Sequence, residues 1–310
     1  MSGVSRSTWT ARARIALALV SLGGLAVAAA GPGQSGQART ARPTDRGMFV
    51  SVLDKDGAPV TGLTAADFVV REDRVAREVL RAERATDPIT LSLVIDNSQA
   101  AAPHIPDIRQ ALKAFVKRLA GRNPMALTVF GERPSIFTEY TLDAASIEKG
   151  VERLFAVTGS GSYLLQAVDD VAKGLAKRDF ERAVILAITA GGPEFTDRNY
   201  DEFIPRLRDS GATFYAMVIA PTPPNLSDYG QRNREMFVDA AARATGGNRF
   251  TLLSSLALAS ALDRLADELT SQYRITYGRP DTLIPPERIE VSVKRPGLTA
   301  RGTPITPGKR

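Results

Sequence analysis

A short run of oxygen-bearing side chains follows an apolar segment in the first third of the chain. Residues 91–95 read LSLVI, and Asp96, Asn97 and Ser98 come directly after them. Carboxylate, amide and hydroxyl oxygens are the ligands that hard cations such as Mg²⁺ prefer. The same residue types also end strands and cap helices through hydrogen bonds to backbone N–H groups. The run therefore predicts a cation site, the remnant of one, or only a polar turn.

Catalytic chemistry has few candidates in this sequence. His104 is the only histidine and cysteine is absent, so a cysteine nucleophile is excluded. A serine nucleophile would have to pair Ser98 with His104, but no Gly-x-Ser-x-Gly elbow surrounds that serine. TGSGSYLLQ, residues 158–166, lacks the lysine of a phosphate-binding loop. We therefore predict that the protein is not an enzyme, and a serine hydrolase remains an alternative.

The elements that must position these residues alternate between strand and helix from residue 87 to residue 271. Continuous apolar runs such as 183–189 and 212–219 are typical of strands buried on both faces, and the segments between strands carry apolar residues at helical spacing. The pattern predicts an α/β fold with a Rossmann-like, doubly wound, mostly parallel sheet and helices on both faces. Ligands of such folds bind at the loops after the carboxyl ends of the strands, where Asp96 lies.

Two flanking segments have the period-two alternation of strands without helices between them. They are residues 47–86 and residues 272–296. Since a lone pair of strands is only marginally stable, we expect both segments to join in one small antiparallel β unit beside the α/β domain. The basic residues that follow, 297–310, are predicted to be a tail.

The N-terminal residues have the pattern of an export signal. Three arginines precede an apolar run that begins at Ile15, is shorter than a membrane span and ends in small residues. We predict a signal peptide at residues 1–30, a flexible linker at residues 31–46 and a secreted or periplasmic location. An uncleaved signal would instead hold the protein at a membrane.

The charge distribution argues against nucleic acid as a partner. The whole chain carries a net charge of +6, yet residues 48–278 carry −3, so the basic character belongs to the two ends. Because nucleic acid is excluded and no catalytic set is found, we predict a protein partner.

At the strand-end positions the sequence resembles the von Willebrand factor type A (VWA) family. The metal-ion-dependent adhesion site of that family reads Asp-x-Ser-x-Ser after the first strand, which aligns with Asp96, Ser98 and Ala100. A threonine before a later helix aligns with Ser162, and an aspartate after the central strand aligns with Ala190. The resemblance spans residues 89–271 and implies the VWA fold. The flanking strands are similar to those of a bacterial VWFA-related subfamily.

Two oxygen donors of the family's site are therefore methyl groups in this chain. One formal negative charge, on Asp96, would remain for a dication that is costly to dehydrate. We predict a degenerate site of Asp96, Ser98 and Ser162, with no obligatory cofactor and with Mg²⁺ or Mn²⁺ disfavoured. Asp96 is expected to accept hydrogen bonds from nearby backbone N–H groups instead. Four other side chains could lend an oxygen, although the spacing does not require it: Asn97, Gln99, Glu194 and Asp197.

Aromatic and arginine side chains, which often anchor protein interfaces, occur in two of the strand-end loops, at residues 193–202 and 220–234. The proline-rich second loop is either a solvated connection or the lip of a binding surface. The candidate partner-binding residues are Asn97, Phe195, Tyr200, Tyr229, Arg232 and Arg234.

Two functions of different classes follow from these observations. The first is an exported, VWA-like module that holds a protein partner at its strand-end loops without metal. The second is a structural subunit of a cell-envelope assembly that contacts its partners through the flanking β unit.

Overall fold

The structure of the protein is a computed structural model that describes residues 43–178, 180–220, 228–280 and 284–305. The predicted signal peptide, most of the predicted linker and residues 221–227 of the proline-rich loop lie outside this part. Within it, no helix is long and apolar enough to span a membrane. The described strands are β1 (Pro43–Leu53), β2 (Phe68–Glu72), β3 (Val75–Arg77), β4 (Val79–Arg84), β5 (Thr90–Ile95), β6 (Met125–Val129), β7 (Ser135–Thr141), β8 (Ala183–Thr189), β9 (Thr213–Ile219), β10 (Asn248–Leu252), β11 (Tyr273–Pro280), β12 (Ile289–Val293) and β13 (Thr299–Pro304). The α-helices are α1 (Ile105–Leu119), α2 (Ala144–Glu152), α3 (Leu164–Ala176), α4 (Ile204–Asp209), α5 (Tyr229–Thr245) and α6 (Leu258–Thr270).

The α/β domain is built on a sheet with the strand order β10-β9-β8-β5-β6-β7. All neighbours pair in parallel except β7, which pairs antiparallel with β6. Every residue of β5, β8 and β9 is buried, as expected for strands that are covered on both faces. Helices α1, α2 and α6 pack on one face, and α3, α4 and α5 pack on the other. The predicted doubly wound, mostly parallel sheet is confirmed.

The flanking segments form a separate antiparallel unit, as predicted. Its two sheets have the orders β13-β1-β11-β4 and β12-β2-β3, and they share one apolar core. Two boundaries differ from the prediction, because residues 43–46 belong to β1 rather than to a linker and β13 lies within the predicted basic tail. Neither stretch has an apolar alternation of its own. Backbone pairing of residues 43–46 with β11, and of β13 with β1, determines their structure.

Buried polar side chains join the antiparallel unit to the α/β domain. The carboxylate of Glu268, on α6, accepts hydrogen bonds from the guanidinium of Arg301, on β13, at 2.8 and 2.9 Å. It also accepts the hydroxyl of Tyr215, on β9, at 2.8 Å. Burial and the charge of Glu268 raise the pKa of Tyr215 well above its usual value. Nearby, Gln272 donates to the hydroxyl of Ser51 at 3.0 Å. The antiparallel unit thus supplies partners that the α/β core requires.

Candidate functional site

The carboxylate of Asp96 lies at the centre of the strand-end loops. Its side chain is fully buried, and both of its oxygens accept hydrogen bonds. Oδ1 accepts the backbone N–H of Ser98 at 2.9 Å. Oδ2 accepts the hydroxyl of Thr189 at 3.1 Å and the backbone N–H of Ala190 at 3.0 Å. Because Thr189 is the last residue of β8, this carboxylate ties the carboxyl ends of β5 and β8 together.

Asn97 connects the neighbouring loops and is not available to a partner. It is buried, its Oδ1 accepts the N–H of Gly131 at 2.7 Å, and its Nδ2 donates to the carbonyl of Phe155 at 3.4 Å. Its own carbonyl accepts the N–H of Val157 at 2.9 Å. The prediction of Asn97 as a partner-binding residue is wrong, because its polar groups are used inside the protein.

Ser162 contacts a second buried carboxylate, that of Glu194. The hydroxyl of Ser162 donates to Oε2 of Glu194 at 2.9 Å, and the N–H of Leu164 donates to the same oxygen at 3.2 Å. Oε1 accepts the hydroxyl and the N–H of Thr196 at 2.6 and 3.3 Å. Burial raises the pKa of Glu194 above its usual value, while these hydrogen bonds and the charge of Arg234 oppose the rise. The sequence indicated Glu194 only as one of four optional oxygen donors.

The backbone explains how Glu194 reaches Ser162. These two residues form an isolated parallel bridge, in which the N–H of Ser162 donates to the carbonyl of Pro193 and the N–H of Phe195 donates to the carbonyl of Ser162, both at 2.8 Å. Gly192, with φ of +78°, turns the chain towards this bridge. The glycine pair before Pro193 was the signal in the sequence for a sharp turn, but the bridge itself has no local signature.

The oxygen atoms at this site are largely engaged in hydrogen bonds within the protein. Both oxygens of Asp96 already accept hydrogen bonds from the protein, and the hydroxyl of Ser162 is bound to Glu194. Positions 100 and 190 present methyl groups. The hydroxyl of Ser98 is the exception, since it is buried and has no hydrogen-bond partner among the described residues.

The structure corrects the prediction for Arg234. Helix α5 begins at Tyr229, with the side chain of Asp228 as its cap, so residues 229–234 are helical rather than part of a loop. Arg234 is only 4% exposed, and its guanidinium donates to the carbonyl of Gly192 at 2.6 Å. This arginine holds the loop after β8 in place and cannot reach a partner.

The other partner-binding candidates divide into exposed and buried side chains. Phe195 and Tyr229 are about half exposed, at 51% and 49%, and Arg232 is exposed. Tyr200 is partly buried against the apolar core of α3, α4 and α5. The structure therefore keeps Phe195 exposed on the loop after β8, and Tyr229 and Arg232 exposed on the first turn of α5.

His104 contacts a serine other than the one considered from the sequence. Its Nδ1 lies 3.2 Å from the hydroxyl of Ser255, which follows β10 and donates to Asp107 at 2.5 Å. The serine thus stands between the histidine and the carboxylate, whereas a catalytic triad has the histidine in the middle. Within the described residues, His104 makes no hydrogen bond to Ser98, so the hypothetical hydrolase pair is not assembled.

Part of this chain is similar in sequence to a known family of domains. A sequence model of the von Willebrand factor type A domain matches residues 91–193. No curated protein matches the chain. Among solved structures, a von Willebrand factor type A protein from Catenulispora acidiphila is 10% identical with a TM-score of 0.48, and the match covers 88% of this chain and 67% of that one.

Two further solved structures match this chain with similar sequence identities and TM-scores. Proximal thread matrix protein 1 from the mussel byssus, with a zinc-occupied MIDAS motif, is 13% identical with a TM-score of 0.49, and the match covers 67% of this chain and 50% of that one. The von Willebrand factor domain of the pilus tip protein Mfa5 from Porphyromonas gingivalis is 13% identical with a TM-score of 0.46, and the match covers 60% of this chain and 96% of that one. This chain therefore spans about half the length of the mussel protein. The family model matches residues 91–193, which contain Asp96, Ser98 and Ser162, so this part of the α/β domain is similar to the von Willebrand factor type A domain.

Proposed function

We propose that this chain is an exported, non-enzymatic module that binds a protein partner at the strand-end face of its VWA domain, without a divalent cation. The strand-end face is the surface formed by the loops after β5, β8 and β10, by the segment before α3 and by the first turn of α5. One observation carries the proposal: large apolar side chains are exposed on the loops at the same edge of the sheet as two buried carboxylates, whose oxygens accept hydrogen bonds from the protein itself.

Five large side chains give this face its apolar character. Leu253 and Leu256 are 91% and 80% exposed, although Ser255 between them is buried and bound to Asp107. Exposed apolar groups that cluster on one surface mark interaction sites, and covering one such side chain contributes about 1.5–3 kcal/mol. A loop that is already anchored loses little freedom on binding. The five exposed side chains are Phe155, Phe195, Tyr229, Leu253 and Leu256.

The polar centre of the face supports recognition without metal and without catalysis. Asp96 and Glu194 each accept hydrogen bonds at both oxygens, so neither carboxylate needs a cation for its charge to be stabilised. A partner would be held by apolar contact, by shape and by hydrogen bonds to the rim. Export follows from the predicted signal peptide at residues 1–30.

The experiment is affinity capture from the envelope and secreted fractions of the producing cells, with the full chain immobilised in EDTA. We expect a protein that is retained by the wild type and lost with the double variant Phe195→Ser/Leu256→Ser. The matched control is Leu142→Ser, since Leu142 is 54% exposed and follows β7 at the opposite edge of the sheet, next to the amino end of β6. Retention that is abolished by EDTA, or that survives the double variant but not the control, would refute the proposal.

A further inference from the structure

We propose that the part of the strand-end face around Phe195 binds an arginine-bearing segment of the protein partner. This inference rests on the proposed function and specifies the chemistry of the partner. It is carried by a fixed, half-exposed aromatic ring in a segment whose exposed aspartates make no ion pair among the described residues.

The ring of Phe195 is held in place by contacts with neighbouring residues of the protein. It packs edge to face against Tyr163, with ring centroids 5.9 Å apart and an interplanar angle of 63°. Gly161 makes room for it, because a Cβ at that position would come within 2.3 Å of the ring. The backbone of Phe195 is fixed by its hydrogen bond to Ser162. A ring that is anchored in this way offers a preorganised face to a ligand.

A second exposed aromatic residue belongs to the same region. Gly230 lies against the carbonyl of Glu194, so closely that a Cβ there would come within 2.2 Å of the oxygen. The first turn of α5, which carries Tyr229, is therefore next to the segment that carries Phe195. Both side chains are about half exposed.

The segment that carries Phe195 is strongly acidic. Residues 193–202 contain four acids and one arginine, a net charge of −3. Asp197 and Asp201 are exposed, and neither makes an ion pair among the described residues. Arg198, the local cation, is already bound to Glu202 at 3.2 Å. Arg232, which is exposed on the neighbouring turn of α5, has an interaction of its own.

Two other aromatic rings near these loops have guanidinium groups over them, which indicates the kind of ligand that the exposed ring of Phe195 would bind. The guanidinium of Arg109 lies over the ring of Phe155 at 4.2 Å, and that of Arg198 lies over the ring of Phe203 at 4.5 Å. No cation of the described residues lies over Phe195. Aromatic faces attract guanidinium groups, and carboxylates bind them in two-pronged hydrogen bonds. Phe195, Asp197 and Asp201 together offer both kinds of contact to an arginine.

The test is a fluorescence-anisotropy titration of the full chain with the labelled, capped peptide GRGRG at low salt. The matched probe replaces both arginines by citrulline, which keeps the shape and removes the charge. We expect the arginine peptide to bind at least about tenfold more tightly than the citrulline peptide. Phe195→Leu and the double variant Asp197→Asn/Asp201→Asn should each weaken it by about fivefold.

The control variant removes the same charge elsewhere. Glu139 on β7 and Asp209 on α4 are exposed acids, and Glu139→Gln/Asp209→Asn should leave the affinity within about twofold. Equal binding of the two peptides, or equal weakening by the control variant, would overturn the inference. If a captured partner depends on Phe195 but is not displaced by the arginine peptide, the inference fails and the proposed function stands. If nothing depends on this face, both fail.

Discussion

Replacing Arg301 by alanine is expected to lower the free energy of unfolding by about 3–5 kcal/mol. Glu268 is only 4% exposed, and without Arg301 its carboxylate would keep one neutral side-chain partner among the described residues, the hydroxyl of Tyr215. Breaking a buried ion pair costs more than the pair contributed, because the remaining carboxylate stays away from water without a counter-charge. Urea-induced unfolding followed by circular dichroism measures this change.

The double variant Arg301→Met/Glu268→Leu is the matched control for the ion pair. Because it removes both charges and keeps apolar volume, we expect it to recover most of the stability that Arg301→Ala loses. A double variant as unstable as the single one would mean that the loss arises from the packing of β13. The same contacts predict that deleting residues 279–310 unfolds the α/β domain. That truncation therefore cannot distinguish a binding module from a structural subunit that acts through its β unit.

Replacing Asp96 by alanine is expected to lower the free energy of unfolding by about 3–5 kcal/mol. The N–H groups of Ser98 and Ala190 and the hydroxyl of Thr189 would lose their acceptor in a fully buried place. Each buried group left unsatisfied costs about 1–3 kcal/mol. Thermal and urea unfolding in EDTA measure the loss.

The control for Asp96 is an acid that serves no such role. Asp209→Ala, on the exposed side of α4, should change the stability by no more than about 0.5 kcal/mol. A buried carboxylate whose only role is to bind a cation would lower the stability of the metal-free protein. Stability of Asp96→Ala equal to or above that of the wild type in EDTA would therefore show that Asp96 is not a structural acceptor.

The fold class could be predicted because the spacing of apolar residues is a local property of the chain. β8 and β9 read as uninterrupted apolar runs, and their burial on both faces follows from that alone. The predicted boundaries that were wrong, at residues 43–46 and within β13, belong to stretches whose partners are distant in sequence. Their structure depends on backbone pairing, which no local pattern indicates.

The site could be predicted only as far as the family motif reaches. Asp96, Ser98 and Ser162 come from that motif, whereas Glu194 enters through a bridge to Ser162 that leaves no pattern in the sequence. Arg234 was expected in a partner-binding surface because arginine is a residue type that often anchors protein interfaces. It is buried because the turn at Gly192 brings a carbonyl within reach of its guanidinium. Charged groups are thus the residues whose place depends most on tertiary contacts.

The central claim is that the strand-end face recognises its partner without a divalent cation, and calorimetric titration of the full chain with MgCl2 and MnCl2 tests it. We predict no stoichiometric heat for the wild type. The variant Ala100→Ser/Ala190→Asp, which restores the two missing oxygens, should give a saturable isotherm and so serves as the positive control. A one-to-one isotherm for the wild type with a Kd below about 1 mM, abolished by Ser98→Ala, would contradict the claim.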